Sequence, residues 1–197
     1  MYRKVMALCL TVFLVSIAIA AHAEEISPKR EVSERFIVQI DSSSWVKESF
    51  KVSPDSKRVA YGAIVGDKWF MVVDGKEEKK YDDIGEGSPI FSPDSKRVAY
   101  VAGEGGKWFV VVDGKEGKKN YDFIGGHLFS PDCKHVAYAA EAGDKKFVVV
   151  DGKEGNKYDY IVAIAGGWIG GWISPDSLHY LIIKGSSSIY LVEERIR

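Results

Sequence analysis

The sequence predicts an all-β fold, a small β-propeller of about four four-stranded blades. Three observations predict it. The string Ser-Pro-Asp recurs at Ser53, Ser92, Ser130 and Ser174, with spacings of 39, 38 and 44 residues. An Asp-Gly pair stands 21 residues after each of the first three serines, at Asp74, Asp113 and Asp151. A Tyr-Asp pair follows at Tyr81, Tyr121 and Tyr158. Landmarks in constant order at a period of about 40 residues mark an array of repeated supersecondary units, and in an all-β chain that period suits propeller blades.

Each unit parses into four strands. The first is a brief apolar piece ending at the serine, as in Pro89-Ile90-Phe91. Ser-Pro-Asp-Ser is turn chemistry, because proline presets φ and the Asp and Ser side chains bond the local backbone. The second strand is 97–101 (Arg-Val-Ala-Tyr-Val) and its equivalents. A Gly/Asp/Lys turn leads to the third, 108–112 (Trp-Phe-Val-Val-Val), matched by 69–73 and 146–150. Third strands apolar at every position should be buried on both faces. Asp-Gly then makes a tight hairpin turn, where glycine tolerates φ > 0. The fourth strand, around Lys118-Lys119-Asn120-Tyr121-Asp122, carries the lysines expected of a protected sheet edge.

At these residues the chain resembles a known family. SPDSKRVAY, present at 53–61 and again at 92–100, followed by an aromatic-Val-Val-Val-Asp-Gly strand, is similar to the WD-like β-propeller repeat of TolB-type periplasmic proteins. The resemblance covers roughly residues 44–197, with repeats starting near 44, 85, 125 and 166. It implies the propeller fold and says little about function. TolB-type proteins usually have six blades and a separate N-terminal α/β domain. Here four repeats are present, and only residues 24–35 are left as an N-terminal tail, so that extra domain is not expected.

The first 23 residues read as a secretory signal. Arg3 and Lys4 form a basic start, residues 5–21 are an uncharged apolar run, and Ala21-His22-Ala23 offers the small residues a signal peptidase reads. Cleavage after Ala23 is expected; the competing reading is an uncleaved anchor, since 17 apolar residues stand at the short edge of a span. The chain has 27 Lys and Arg against 28 Asp and Glu, and the signal removes two bases and no acid, leaving a net charge of −3. Such a chain is poorly suited to nucleic acid. Only Cys133 remains after cleavage, so no intrachain disulfide is available. Cys133 is expected to be exposed, an inert replacement of the turn serine or else half of an intermolecular disulfide.

The fourth repeat reads as incomplete. After Ser174 come strands over 179–184 and 189–193, with no fourth strand before Arg197. Residues 36–40 (Phe-Ile-Val-Gln-Ile) stand before the first blade, and a closed ring is expected in which they pair with the last blade. The alternative is an open arc that completes itself by dimerising.

Site chemistry is sparse. Asp55, Asp94, Asp132 and Asp176 read as turn residues rather than a ring of ligands. His135 and His179 occupy the position of Arg58 and Arg97, a surface strand site, and no close cluster with zinc spacing accompanies them or His127. No Gly-x-Ser-x-Gly elbow is present and Gly103 to Gly106 opens no helix, so neither an enzyme nor a cofactor is expected. The one irregularity is an insertion. Ser174 comes 16 residues after Tyr158, against 11 and 9 in the preceding repeats. Its stretch 161–172 is uncharged and Trp/Gly-rich, and Trp168, Trp172 and the adjacent Tyr160 are the candidate binding residues. The competing reading has them extend strands and fill the core. Trp69 and Trp108, at the starts of apolar strands, are expected in the core. The expected function is an exported, non-enzymatic protein-interaction module of the periplasm or cell envelope, monomeric or dimeric, with an envelope or periplasmic protein as partner. The alternative is a small-ligand or glycan binder using the insertion.

Overall fold

The computed structural model describes residues 31–118, 120–164, 167–168, 170–185 and 187–196; the expected export signal lies outside them. The chain divides into two units, Met1–Phe36 and Ile37–Arg197. In the first, residues 31–36 form no helix or strand. Among the described residues no helix is long and apolar enough to cross a membrane.

The Ile37–Arg197 unit is all-β, with four antiparallel sheets that are the blades of a small propeller. The first blade contains β1 (Lys51–Val52), β2 (Val59–Val65), β3 (Lys68–Val73) and β4 (Lys76–Tyr81). The second contains β5 (Asp83–Ile84), β6 (Ile90–Phe91), β7 (Val98–Glu104), β8 (Lys107–Val112) and β9 (Lys115–Glu116). The third contains β10 (Phe123–Phe129), β11 (Val136–Ala142), β12 (Lys145–Val150) and β13 (Lys153–Glu154). In the fourth, β14 (Tyr160–Ile161) and β17 (Gly170–Ser174) pair with β18 (Ser177–Lys184), which also pairs with β19 (Ser188–Arg195). A separate hairpin joins β15 (Ala163–Ile164) to β16 (Gly167–Trp168).

The repeat landmarks each fold as their chemistry dictates. Val73 pairs with Lys76 across Asp74 (φ 52°) and Gly75 (φ 82°), so the two-residue loop has both central residues at positive φ, which is why Asp-Gly recurs. Ser92 Oγ donates to Asp94 Oδ1 at 2.6 Å and accepts from Arg97 N at 2.9 Å, closing the Ser-Pro-Asp turn on itself. The middle strands supply the core: Phe109, Val111, Phe147 and Val148 have no measurable exposure.

Blades stack in succession through a repeated set of contacts. The tyrosine of each Tyr-Asp pair, which ends β4 in the first blade and makes an isolated bridge to the third strand in the next two, packs on the following blade. Tyr81 meets Phe109 edge-on at 5.5 Å, Tyr121 meets Phe147 at 5.8 Å, and Tyr158 meets Tyr180 at 6.1 Å. The aspartate beside it ties two blades: Asp82 takes Lys68 Nζ at 2.6 Å from the first and Gly105 N at 2.8 Å from the second. On the opposite rim Arg58 Nη1 donates to the carbonyls of Ser95 and Lys96 at 3.0 and 2.6 Å. Arg97 repeats this on Cys133 and Lys134, both at 2.9 Å. Buried clusters join the first blade to the second, the second to the third, and the third to the fourth. Among the described residues no such cluster joins the fourth blade to the first.

The expected closure by residues 36–40 is therefore corrected. Those residues are in no strand, and β19 has β18 as its strand partner among the described residues. Ile40 packs with Trp45 and Phe50 on the first blade's cluster of Tyr61, Ala63, Phe70 and Val72. Val38 lies beside the β3–β4 turn, where a Cβ on Gly75 would meet its Cγ2 at 2.9 Å. The physical reason is direct. Among the described residues no blade precedes the first, and packing Ile40, Trp45 and Phe50 on Tyr61 and Phe70 takes their apolar surface out of water.

Candidate functional site

The inner strand of each blade is where regularity fails. In the first blade Trp45 bridges Ala63 and the 3-10 turn Lys47–Ser49 separates it from β1. In the second, β5 and β6 occupy one side of β7 with a break between them. In the third, β10 is continuous but bulged between Gly125 and Leu128. In the fourth, β14 and β17 share one side of β18, and the β15–β16 hairpin grows out of the break. The insertion thus enlarges an irregularity that every blade has, and β16 lies against β10 of the third blade.

The structure separates the sequence-predicted site residues. Trp172 is half-buried and turned toward the third blade. It stacks on His135 at 6.0 Å with an interplanar angle of 28°, beside the cluster of Leu178, Tyr180 and Val148. It holds the place that Phe91 and Phe129 take under Arg58 and Arg97, whose guanidinium carbons lie 5.4 and 5.2 Å from those rings. Its indole N–H is buried with no hydrogen-bond acceptor among the described residues. Trp168 pairs with Ala163 in the hairpin. Tyr160, by contrast, is 48% exposed at the start of β14.

Tyr160 lines an apolar recess of about 110 Å³ between the third and fourth blades, together with Phe123, Ala139, Ala140 and Ile161. The ion pair of Glu141 and Lys146 sits at its wall. Phe123 also borders a second recess, of about 240 Å³, with Trp108, Ile124, Gly85 and Glu86. Trp108, Phe123 and Tyr160 therefore punctuate adjoining recesses at the blade junctions. Trp108, expected in the core, is half-buried against the second cluster, and a Cβ on Gly103 would meet its ring at 3.2 Å. Phe123 was not singled out by sequence. The available signal was positional: the residue after each Tyr-Asp is Asp83, then Phe123, then Tyr160.

The charged groups around this face are committed to the scaffold. Asp122 receives Lys107 Nζ at 2.5 Å and Gly143 N at 2.7 Å, and these bonds hold its carboxyl below the usual range. Hydrogen bonds from Ser92 and Ser130, with those from the backbone of Lys96 and Lys134, hold Asp94 and Asp132 down at about 2. Each repeated aspartate is thus occupied by its own turn. His135 Nδ1 stands 2.5 Å from Asp151 Oδ2. Cys133, expected to be exposed, is half-buried, with φ 65° in its turn. Among the described residues no group of three or more His, Cys, Asp or Glu is placed to hold a metal ion. His127 is buried with its Nε2 unpartnered, and burial holds its imidazole down at about 4.

No protein-family model and no curated protein matches the chain. Among solved structures it is similar to TolB from Acinetobacter baumannii, at 17% identity and a TM-score of 0.45 over 75% of this chain and 40% of that one. It is also similar to a structure from a study of two prolyl endopeptidases, at 15% identity and a TM-score of 0.44 over 78% of this chain and 27% of that one. The chain thus spans less than half the length of either.

Proposed function

We propose that the protein is an exported, non-enzymatic interaction module of the periplasm or cell envelope that takes a protein partner on the face marked by Trp108, Phe123 and Tyr160. One observation carries the reading. At a single repeat position that holds a carboxylate in Asp83, two large aromatics stand 52% and 48% exposed on the walls of an apolar recess. Leaving such rings in water forgoes burial energy that a partner's apolar side chain recovers, and a few aromatic anchors carry most of a protein interface. The β15–β16 hairpin, with Trp168 on β16, is the second element assigned to the partner's footprint. Export rests on the basic, apolar and small-residue pattern of residues 1–23. The resemblance of the repeat to TolB-type proteins agrees with that compartment.

A photo-activated cross-linking residue placed in turn at positions 123, 160 and 57 tests the assignment in living cells. Lys57 is an exposed control in the first blade's Ser-Pro-Asp turn. Adducts to one envelope protein from 123 and 160, and none from 57, are expected. The same adducts from all three positions, or none from any, would overturn the reading.

A further inference from the structure

We infer that the outward face of the fourth blade is a self-association surface, and that its occupant is the same face of a second copy of this chain. Register identifies the surface. Ile183 pairs with Ile189 and Leu181 pairs with Leu191. Counting from each Ser-Pro-Asp, the equivalent pairs are Gly62 with Met71, Val101 with Val110, and Ala139 with Val148. In the first three blades those positions are covered by the next blade, and Met71, Val110 and Val148 are 0%, 3% and 0% exposed. At the same position Ile189 is 65% exposed, and its neighbour Leu191 is 59% exposed. The fourth blade therefore presents, uncovered, a face built to the pattern that elsewhere receives a blade.

A head-to-tail contact would seat this face on the near face of another copy's first blade, but Ile40, Trp45 and Phe50 already cover that surface. A two-fold contact between fourth blades uses only a surface open on both copies, and it closes without forming a fibre. The area also suffices. Strands of 8 residues and a sheet three strands wide give a face of roughly 26 by 14 Å. With side-chain relief that is on the order of 500 Å² per copy, and the pair reaches the ~1,000 Å² at which specific interfaces begin. The rim of the face carries both signs, Glu193 opposite His179 and Arg195 opposite Ser177 in register, so a two-fold contact does not force like charges together.

The test is the mass in solution of the chain as it accumulates in the expressing cell, by sedimentation equilibrium across a hundredfold concentration range. A dimer is expected. Ile189→Thr with Leu191→Glu should yield a folded monomer or weaken association at least a hundredfold. The single Leu191→Thr variant, which keeps strand propensity and adds no charge, should weaken it less. A wild-type chain that stays monomeric throughout, or a dimer unaffected by these changes, overturns the inference. So does a hetero-complex formed on this face in place of the dimer. Tyr160 pairs with Ile183 and so borders this face; cross-linking at position 123, on the third blade, in the monomeric variant keeps the fate of the aromatic site separate.

Discussion

Lowering the pH should destabilise this protein above the range in which its Ser-Pro-Asp aspartates titrate, and the residue responsible is His127. It sits in β10 beside the Gly126 bulge (φ 59°), 9% exposed. Burial holds its imidazole down at about 4, against 6.5 for a free histidine. The unfolded chain takes up this proton near pH 6.5, and the folded chain not until about pH 4. Between those values the unfolded state binds more protons, so stability is full above pH 6.5 and declines as pH falls toward 4. At 1.36 kcal/mol per pH unit, the loss by pH 4.5 is roughly 2–3 kcal/mol. Asp94 and Asp132, held at about 2, add their own loss only below their unfolded value of 3.8, so pH 4.5 isolates the histidine from them. The assay is urea unfolding at pH 7.5 and 4.5. With an m-value of about 2 kcal/mol/M, the midpoint should fall by roughly 1–1.5 M. His127→Leu should remove most of that difference. Equal wild-type midpoints at the two pH values, or a His127→Leu chain that loses as much as wild type, would show that His127 does not set this pH dependence.

Other expectations follow from the same contacts. Trp172→Ala should cost about 2–3 kcal/mol in urea unfolding, short of a fully buried tryptophan, because the ring is half-buried between His135 and the last interface cluster. Arg97→Ala should cost about 1–2 kcal/mol by removing two hydrogen bonds to the next blade, and Arg97→Lys should recover little because an ammonium lacks the planar fork. Amino-terminal sequencing of the protein recovered from the periplasm of a Gram-negative host should begin at Glu24; a full-length product fixed in the membrane would contradict export with cleavage.

What the sequence made legible was the part of the fold set by local chemistry. Asp-Gly could only be a tight hairpin, Ser-Pro-Asp could only be a turn, and a Trp-Phe-Val-Val-Val strand had to be buried on both faces. The tyrosine of Tyr-Asp was visible as a landmark, but its task of entering the next blade depends on how blades stack. The ends of the array were misread for the same reason. Residues 36–40 have strand composition, yet the bare Tyr61 and Phe70 of the first blade claim the chain around Ile40 for packing. Trp172, lying among glycines, read either as a binding residue or as core filling, and a bulge in β17 turns it onto His135. Tyr160 was singled out for its place beside the insertion. Phe123 shares its repeat position and was passed over, because one aromatic in a regular strand carries no local mark of exposure.

The interaction role rests on the aromatics at the blade junctions binding a partner. Capture of the envelope protein cross-linked at positions 123 and 160 tests it most directly, with the Phe123→Ser, Tyr160→Ser double variant compared against wild type at matched folded concentration. Both rings are about half exposed, so the double change should leave the urea midpoint nearly unmoved, within about 1 kcal/mol of stability. Capture should fall at least tenfold, the loss of about 1.4 kcal/mol or more that hot-spot anchors carry. A folded double variant that captures its partner as well as wild type would exclude these rings as the anchors.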